Sequence, residues 1–548
     1  MHRLPFKLSP ETSAILPLRR HHSAMSTSIF LLWLVSIPLT IHAMPQPKGY
    51  LLNCGSNHGV EEGQIEYVPD DEYISVGNKT TLDRPEILPR LQTLRYFPNA
   101  KARKYCYTFP VIKGGKFLVK TVYYYGGFDG GDEPPVFDQI IDGTKWSTVN
   151  TTEDYAVGGT SFYEAIFMAQ NKFLSVCLAR NEHTAVGSSP FISSLEVYNL
   201  DDSVYNSTNY EKYALATVSR SSFGSTGDTL SYPDDSFNRY WQPFTDDNPY
   251  VSSQASVDPS KFWNNPPQKA FLSALTTSRG KTLTLRWPPY SLSNGHYYIA
   301  LYFQDNRSPS PFSWRVFDIH VNGQIFFQDL NVTDNGENVF GTEWPLNGQT
   351  EISLVPKDGT PVGPLINAGE VLQIFPLGGK TVTRDGNLFH SIIKHPINWN
   401  TIEIKVVAME DLRVALKNPP EDWAGDPCLP RVNSWTGVSC SEGDIIRVIS
   451  LNLTGLGLSG SLPASISNLT ALRLLLLGDN SLSGSLPDLR GLQSLEILHL
   501  ENNQFEGSPP NSLAELPNLR EAFLQNNRFN GSVAERLNNK DGSINIQW

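Results

Sequence analysis

The residue types that could do covalent chemistry are scattered along this chain rather than grouped. Gly280-Lys281-Thr282 and Gly379-Lys380-Thr381 match the last three positions of a phosphate-binding loop, whose backbone amides cradle phosphate while the lysine reaches it. The earlier glycine such a loop requires is Leu275 in one case and Ile374 in the other. No Gly-x-Ser-x-Gly nucleophile turn and no His-Glu-x-x-His metal helix occurs. His183, His296, His320 and His390 each stand alone, as structural histidines do. The run DGGDE at 129 to 133 holds three carboxylates, but its glycines make it a solvated turn. Paired carboxylates for glycoside hydrolysis are defined by separation in space, so a glycan hydrolase stays open as the alternative. The expectation is a non-catalytic recognition protein with no metal and no cofactor.

Composition narrows the class of partner. A net charge of −12 with no basic stripe argues against nucleic acid, since an acidic chain repels phosphate. Thirty-nine prolines and 41 glycines imply many turns, hence short strands rather than long helices. The basic run RRHH precedes SIFLLWLVSIPLTIHA, which has the length of a signal-peptide core and ends at Ala43. Residues 1–44 are therefore expected to be a signal peptide, with Met25 a candidate start and a short membrane anchor the runner-up. No later run approaches the ~20 apolar residues of a spanning helix. Asn78, Asn150, Asn206, Asn306, Asn331, Asn452, Asn468 and Asn530 each open an N-x-S/T triplet, so N-glycosylation is expected across the chain. Export also permits disulfides.

The C-terminal part is repetitive. Segments beginning at Val448, Leu472, Leu495 and Leu519 align with a period of 23 to 24 residues, that of leucine-rich repeats. Leucines at L-x-x-L-x-L point inward from one short strand per turn. Asn480, Asn503 and Asn527 fall where a buried amide can bond the backbone of adjacent turns, and Leu456 holds that place in the first turn. Strand positions between the leucines face the concave side, where Arg473, His499, Glu501, Phe523 and Gln525 are expected to meet a protein or peptide. The LSGSLP tails resemble the plant type of repeat. WAGDPCLP and SWTGVSC just upstream resemble the N-terminal cap of plant leucine-rich-repeat ectodomains. That resemblance implies that Trp423 and Trp435 pack on the first turn and that Cys428 and Cys440 are bonded. A zinc site, the rival reading, needs four ligands, and no second Cys or His pair lies nearby. Of five cysteines, at least one thiol then stays free among Cys54, Cys106 and Cys177, and their strand context suggests burial. The final SINIQW looks like the start of another strand, so the last repeat is either left open or followed by more protein.

Residues 45–410 alternate β-branched and aromatic residues with polar ones between Gly, Pro, Asn and Asp, which suggests two β-sandwiches. An echo between KFLVKTVYYYGGFDG and HYYIALYFQDNRS, each followed by VFD and a hairpin, suggests a duplicated fold. The motifs LNCGS, LRYFPNAKARKYCYTFPV, YYYGGFDGGDEPPVFDQIIDGTKW and PFISSLEVYNL resemble the plant malectin-like domain, and the whole chain resembles plant receptor-like proteins that join it to a few leucine-rich repeats. The resemblance implies a mainly β chain: a malectin-like sandwich at 45–205, a linker at 206–235, a second sandwich at 236–410, a cap at 411–446 and four repeats at 447–548. It implies placement at the outer face of the plasma membrane or in the cell wall, with a wall carbohydrate or peptide as ligand and a receptor kinase as possible partner. A purely protein-binding scaffold is a further alternative. By analogy with the animal lectin of the family, Tyr125, Phe128 and Asp129 would hold sugar, the rings stacking on C–H faces and the carboxylate accepting from hydroxyls. Asp138 and Asp318 are expected to be structural.

Overall fold

The computed structural model of the protein describes residues 48–381, 407–530 and 545–547, apart from 132, 254–256, 306, 308–311, 313 and 444. The expected signal segment 1–44 and the sequon at Asn306 lie outside the described residues.

Strand Lys116–Tyr123 is buried at all eight positions, so both of its faces are covered. Period-two alternation sends Val119 into one core and Leu118 into another. The sheet that contains it runs through the molecule. Its order is Val60–Glu62, Ile65–Pro69, Gly49–Asn53, Ser194–Leu200, Lys116–Tyr123, Ser161–Met168, Tyr213–Phe223, Ala368–Pro376, Leu292–Phe303 and Glu337–Gly348, with Gln242–Phe244 beside Tyr213–Phe223. A four-stranded sheet of Tyr105–Pro110, Phe173–Arg180, Phe137–Ile141 and Thr144–Val149 completes the first sandwich. Leu283–Arg286, Glu351–Pro356, Trp314–Val321 and Gln324–Thr333 complete the second. The echo between halves is visible in their hairpins. Asp142-Gly143 and Asn322-Gly323 both turn with positive φ (44° and 78°, 51° and 76°), as two-residue turns between twisted strands require. Asp138 and Asp318 each brace such a hairpin, through Lys145 and Lys357, both at 2.8 Å.

Residues 206–235, expected to be a linker, carry the strand that joins the two halves. Tyr213–Phe223 pairs with Ser161–Met168 on one side and with Ala368–Pro376 on the other. The segments flanking that strand, 204–210, 230–253 and 257–271, fold over one face of the shared sheet. Tyr205, Phe237, Trp241 and Phe271 from them join Leu118, Ile166, Leu215, Leu372 and Tyr302 from the strands in a third core.

That core contains fully buried charge. Arg220 pairs with Glu164 of the first half at 2.7 Å and with Glu370 of the second at 2.8 Å. Glu370 also accepts from the Tyr205 and Tyr302 hydroxyls at 2.6 and 2.7 Å. Burial alone would raise the Glu370 pKa, but Arg220 and Arg239 hold it below the ordinary range. Lys120 and Glu196, 3.2 Å apart, form a second such pair, closed by Asn238 and Tyr198.

The solenoid stacks parallel strands Val448–Asn452, Leu474–Leu476, Ile497–His499, Glu521–Phe523 and Asn545–Gln547, with Val438–Cys440 antiparallel at its start. The last strand is the one that SINIQW foreshadows. Each ladder asparagine bonds the neighbouring turn: Asn480 donates to the Leu453 carbonyl at 2.8 Å and accepts from the Leu458 amide at 2.9 Å, and Asn503 and Asn527 repeat the pattern. Leu456 is exposed instead. Helix Val407–Ala415 precedes the cap and places Met409 and Leu412 in the solenoid core, so the capping structure begins before 411. Trp423 and Trp435 stack at 5.1 Å in that core, and Cys428 is bonded to Cys440. A second disulfide joins Cys106 to Cys177, while Cys54 is free and buried. Burial raises the Cys54 pKa well above that of an ordinary thiol, which keeps it un-ionised and unreactive.

Candidate ligand-binding surface

Tyr125, Phe128 and Asp129 come together at the end of strand Lys116–Tyr123, but their polar groups are turned on one another. The Tyr125 hydroxyl donates to Asp129 Oδ1, which also accepts from the Gly131 amide at 3.2 Å. The Tyr125 ring is 2% exposed and packs edge-on against Phe128 and Tyr155, so it presents no open face to a sugar. Phe128 is half-buried against Tyr96 and Phe191. The loop is thus closed by its own bonds, in the way Asp side chains shape turns.

The solenoid residues lie on one continuous surface. Strand register aligns Asn452, Leu476, His499, Phe523 and Gln547 in one column across five turns. His499 stacks on Phe523 with centroids 4.3 Å apart and meets Glu521 at 2.7 Å. Arg473 pairs with Glu496 at 2.7 Å. Glu501 leans over the preceding turn, where a side chain at Gly478 would stand 2.4 Å from its Oε1, and Gln525 reaches Gln547 at 3.2 Å. Glu496 and Glu521, partners of these residues, and the half-buried Leu474, Leu476 and Ile497 also belong to the face. Their positions in the repeat mark them as concave, but inspection for mixed polarity passes over leucines that look like core.

This face does not stand apart from the sandwiches. The cap sits on the outer strands of the first sandwich. Buried Lys104 donates to the carbonyls of Asp426 and Leu429, the Arg103 amide donates to Asp422 at 3.1 Å, and Asn433 donates back to the Arg103 carbonyl at 3.0 Å. Gly425, at φ +67°, lies directly on the Cys106–Cys177 disulfide, and a Cβ there would be 3.0 Å from one sulfur and 3.2 Å from the other. Where the two units meet, a cleft of about 410 Å³ is lined by Arg103, Arg431, Ser434, Ser439 and Asn452, together with the Cys428–Cys440 bond.

The junction carries a titrating group. Asp142 accepts from the Ser175 amide at 2.8 Å, and its other oxygen is enclosed with no donor among the described residues. Burial, with Asp426 nearby adding repulsion, pushes its pKa up to about 7. Burial lowers that of Lys104 to about 8 against the pull of Asp426 and Asp422. A carboxyl raised on folding holds its proton more tightly in the native state. Its contribution is whole below the unfolded value of ~3.9 and gone above about 7. Stability should therefore contain a component that falls between pH 4 and 7, of at most about 4 kcal/mol. Asp142→Asn should flatten the melting temperature over that interval, and equal slopes for the two proteins would refute the assignment.

Comparison with known proteins places these features. A model of the malectin-like domain matches residues 52–374, and one of the leucine-rich repeat matches residues 494–516. A probable leucine-rich-repeat receptor-like serine/threonine-protein kinase of Arabidopsis thaliana is 30% identical over 511 residues, covering 88% of this chain and 51% of its own. A probable leucine-rich-repeat receptor-like protein kinase of the same plant is 27% identical over 472 residues, covering 81% of this chain and 49% of its own. The chain spans about half the length of the curated relatives it matches. Among solved structures, the ANX2 ectodomain from Arabidopsis thaliana matches with a TM-score of 0.51 at 15% identity, over 60% of this chain and 97% of that one. A complex of the plant peptide RALF23 with FER and LLG2 matches with a TM-score of 0.50 at 17% identity, over 60% of this chain and 96% of the matched one. At such identities the likeness is one of fold. No helix among the described residues is long and apolar enough to cross a membrane.

Proposed function

The chain belongs to the malectin-like family, in its plant leucine-rich-repeat receptor-like branch, and from that membership we propose that it recognises an extracellular peptide and passes the contact to a receptor partner. The observation that carries this reading is the concave column from Asn452 to Gln547, which joins half-buried apolar side chains to Glu501, Glu521 and an aromatic stack. Such a mixture suits a peptide, whose backbone needs polar partners and whose side chains need apolar ones. The solved complex of the plant peptide RALF23 with FER and LLG2, which matches 60% of this chain, gives the reading a precedent in fold. A kinase partner, or a kinase segment of a longer chain, would supply the signal, because the matched relatives are about twice the length of this chain and are named as kinases. Export and glycosylation belong to the same proposal. Asn78, Asn150, Asn206, Asn331, Asn468 and Asn530 are all exposed, as glycan attachment requires, whereas Asn452, also exposed, lies in the binding column and carries no glycan in this reading.

The test uses the whole chain and peptides fractionated from plant extracellular fluid, with photo-crosslinking and mass spectrometry. Replacing Arg473, Glu501 and Phe523 together by alanine should reduce capture of a defined peptide about tenfold or more, the loss expected when central interface contacts are removed. Undiminished capture by this variant would move the site off the solenoid. Binding of wall glycans to the wild type, unaffected by the same variant, would favour the carbohydrate reading.

A further inference from the structure

We propose that the cleft between the first sandwich and the solenoid cap is a carboxylate-binding site that anchors one end of a peptide lying on the concave face. This rests on the peptide reading above and adds where the ligand starts and which chemical group fixes it.

Two guanidinium groups from different units line the cleft in a chain that is otherwise acidic. Arg103 comes from the first sandwich and Arg431 from the cap. Arg103 uses one terminal nitrogen on the Ser434 hydroxyl at 3.0 Å. Among the described residues, Glu442 is the one carboxylate in ion-pair contact with either arginine; it lies 4.0 Å from Arg431 and is 94% exposed. Water screens a pair that open, and it leaves Arg431 available. Elsewhere in this protein the buried arginines are consumed by carboxylates, as Arg220 is by Glu164 and Glu370. The planar fork of an arginine matches a carboxylate with two parallel hydrogen bonds. Ser439 and Asn452, both exposed at the rim, add a hydroxyl and an amide.

The lining also selects the class of ligand. Among the described residues no aromatic ring lines the cleft, so they offer none of the stacking surface that a sugar ring uses. It does open onto the concave column through Asn452, the first member of the series that continues to Leu476, His499 and Phe523. Strands in such a ladder are about 4.8 Å apart, so Phe523 stands roughly 14 Å from Asn452, a span of about four extended residues. An acidic residue or a C-terminal carboxylate in the cleft would thus place apolar side chains over Leu476, Ile497 and Phe523. A site shared by two units also makes binding depend on their docking.

The probe is a fluorescein-labelled octapeptide, Leu-Ile-Phe-Leu-Gly-Ser-Asp-Asp with a free C-terminus, titrated into the whole chain and followed by anisotropy. Saturable binding should weaken about tenfold or more in Arg431→Glu and in Arg103→Ala, and by a similar factor when both aspartates are amidated and the C-terminus is blocked. The Arg431 side chain is exposed on the surface of the cap, so its variant keeps the protein folded, which an unchanged melting temperature verifies. Equal affinity in the arginine variants would overturn the site. If the concave-face triple variant still abolished binding, the peptide reading would stand without the cleft; if that variant also bound normally, both would fall. Absence of saturable binding by the wild type, or stronger arginine-dependent binding of hexagalacturonate than of the peptide, would overturn the peptide carboxylate as the occupant.

Discussion

Arg220→Ala should unfold the tandem sandwiches together, at a cost of about 3–5 kcal/mol. The alanine leaves Glu164 and Glu370, each within ion-pair distance of the missing guanidinium, buried with their charges facing one another. The cost is mostly that of stranded charge rather than of the lost pair, so removing all three charges should do less harm than removing one. The triple change Arg220→Met, Glu164→Gln, Glu370→Gln is therefore expected to recover a good part of the loss. Chemical denaturation followed by tryptophan fluorescence, with Trp241 in the affected core and Trp287 in the second sandwich, checks both points. Two separate transitions, with the second sandwich unmoved by Arg220→Ala, would show that the halves fold independently and that the shared sheet does not couple them.

Loss of the Cys106–Cys177 bond carries the next largest effect. It links residues 71 apart, and closing a loop of that length stabilises by about 4 kcal/mol in the chain-entropy view. The shorter Cys428–Cys440 loop, 12 residues apart, contributes about 3 kcal/mol by the same estimate. Position adds to length. The sulfurs of Cys106 and Cys177 form the floor on which Gly425 rests, so replacing both by serine should also loosen the cap from the sandwich. The double variant should show a lower melting temperature and faster amide exchange at 424–436. A lowered melting temperature with unchanged exchange there would confine the bond's role to the sandwich.

The parts that could be read from sequence share a property: their signal is local and periodic. The repeats starting at Val448, Leu472, Leu495 and Leu519 fall where the strands lie, because each turn restates the same leucine spacing. The cap cysteines and tryptophans sit within one short stretch. What could not be read depends on partners far away in the chain. Tyr213–Phe223 alternates like a strand, yet its turn-rich flanks outweigh that pattern, and nothing local shows that it hydrogen-bonds to residues near 165 and near 371. Lys120, Glu164, Glu196, Arg220 and Glu370 occupy the face of their strands that alternation assigns to solvent. Segments 204–210, 230–253 and 257–271 cover that face, and burial then pairs the charges. Three cysteines in the first sandwich left the choice of pair open until register set Cys106 opposite Cys177. The loop at 125–129 was legible as a cluster and not as a site, since composition does not tell that Tyr125 and Asp129 bond to each other.

The strand Tyr213–Phe223 also bears on how such proteins can be taken apart and recombined. Severing the chain anywhere between the halves removes a neighbour from one of them. A first half ending near 205 would leave Ser161–Met168 with an unpaired edge, and a second half lacking Tyr213–Phe223 would leave Ala368–Pro376 likewise open. Exposed edges in sheets of this size are templates for aggregation. Chimeras that exchange one sandwich alone would inherit that defect, and exchanges of the whole pair would not. The transferable module is thus the pair, and tolerated crossovers between related genes should cluster outside the span from Gly49 to Pro376.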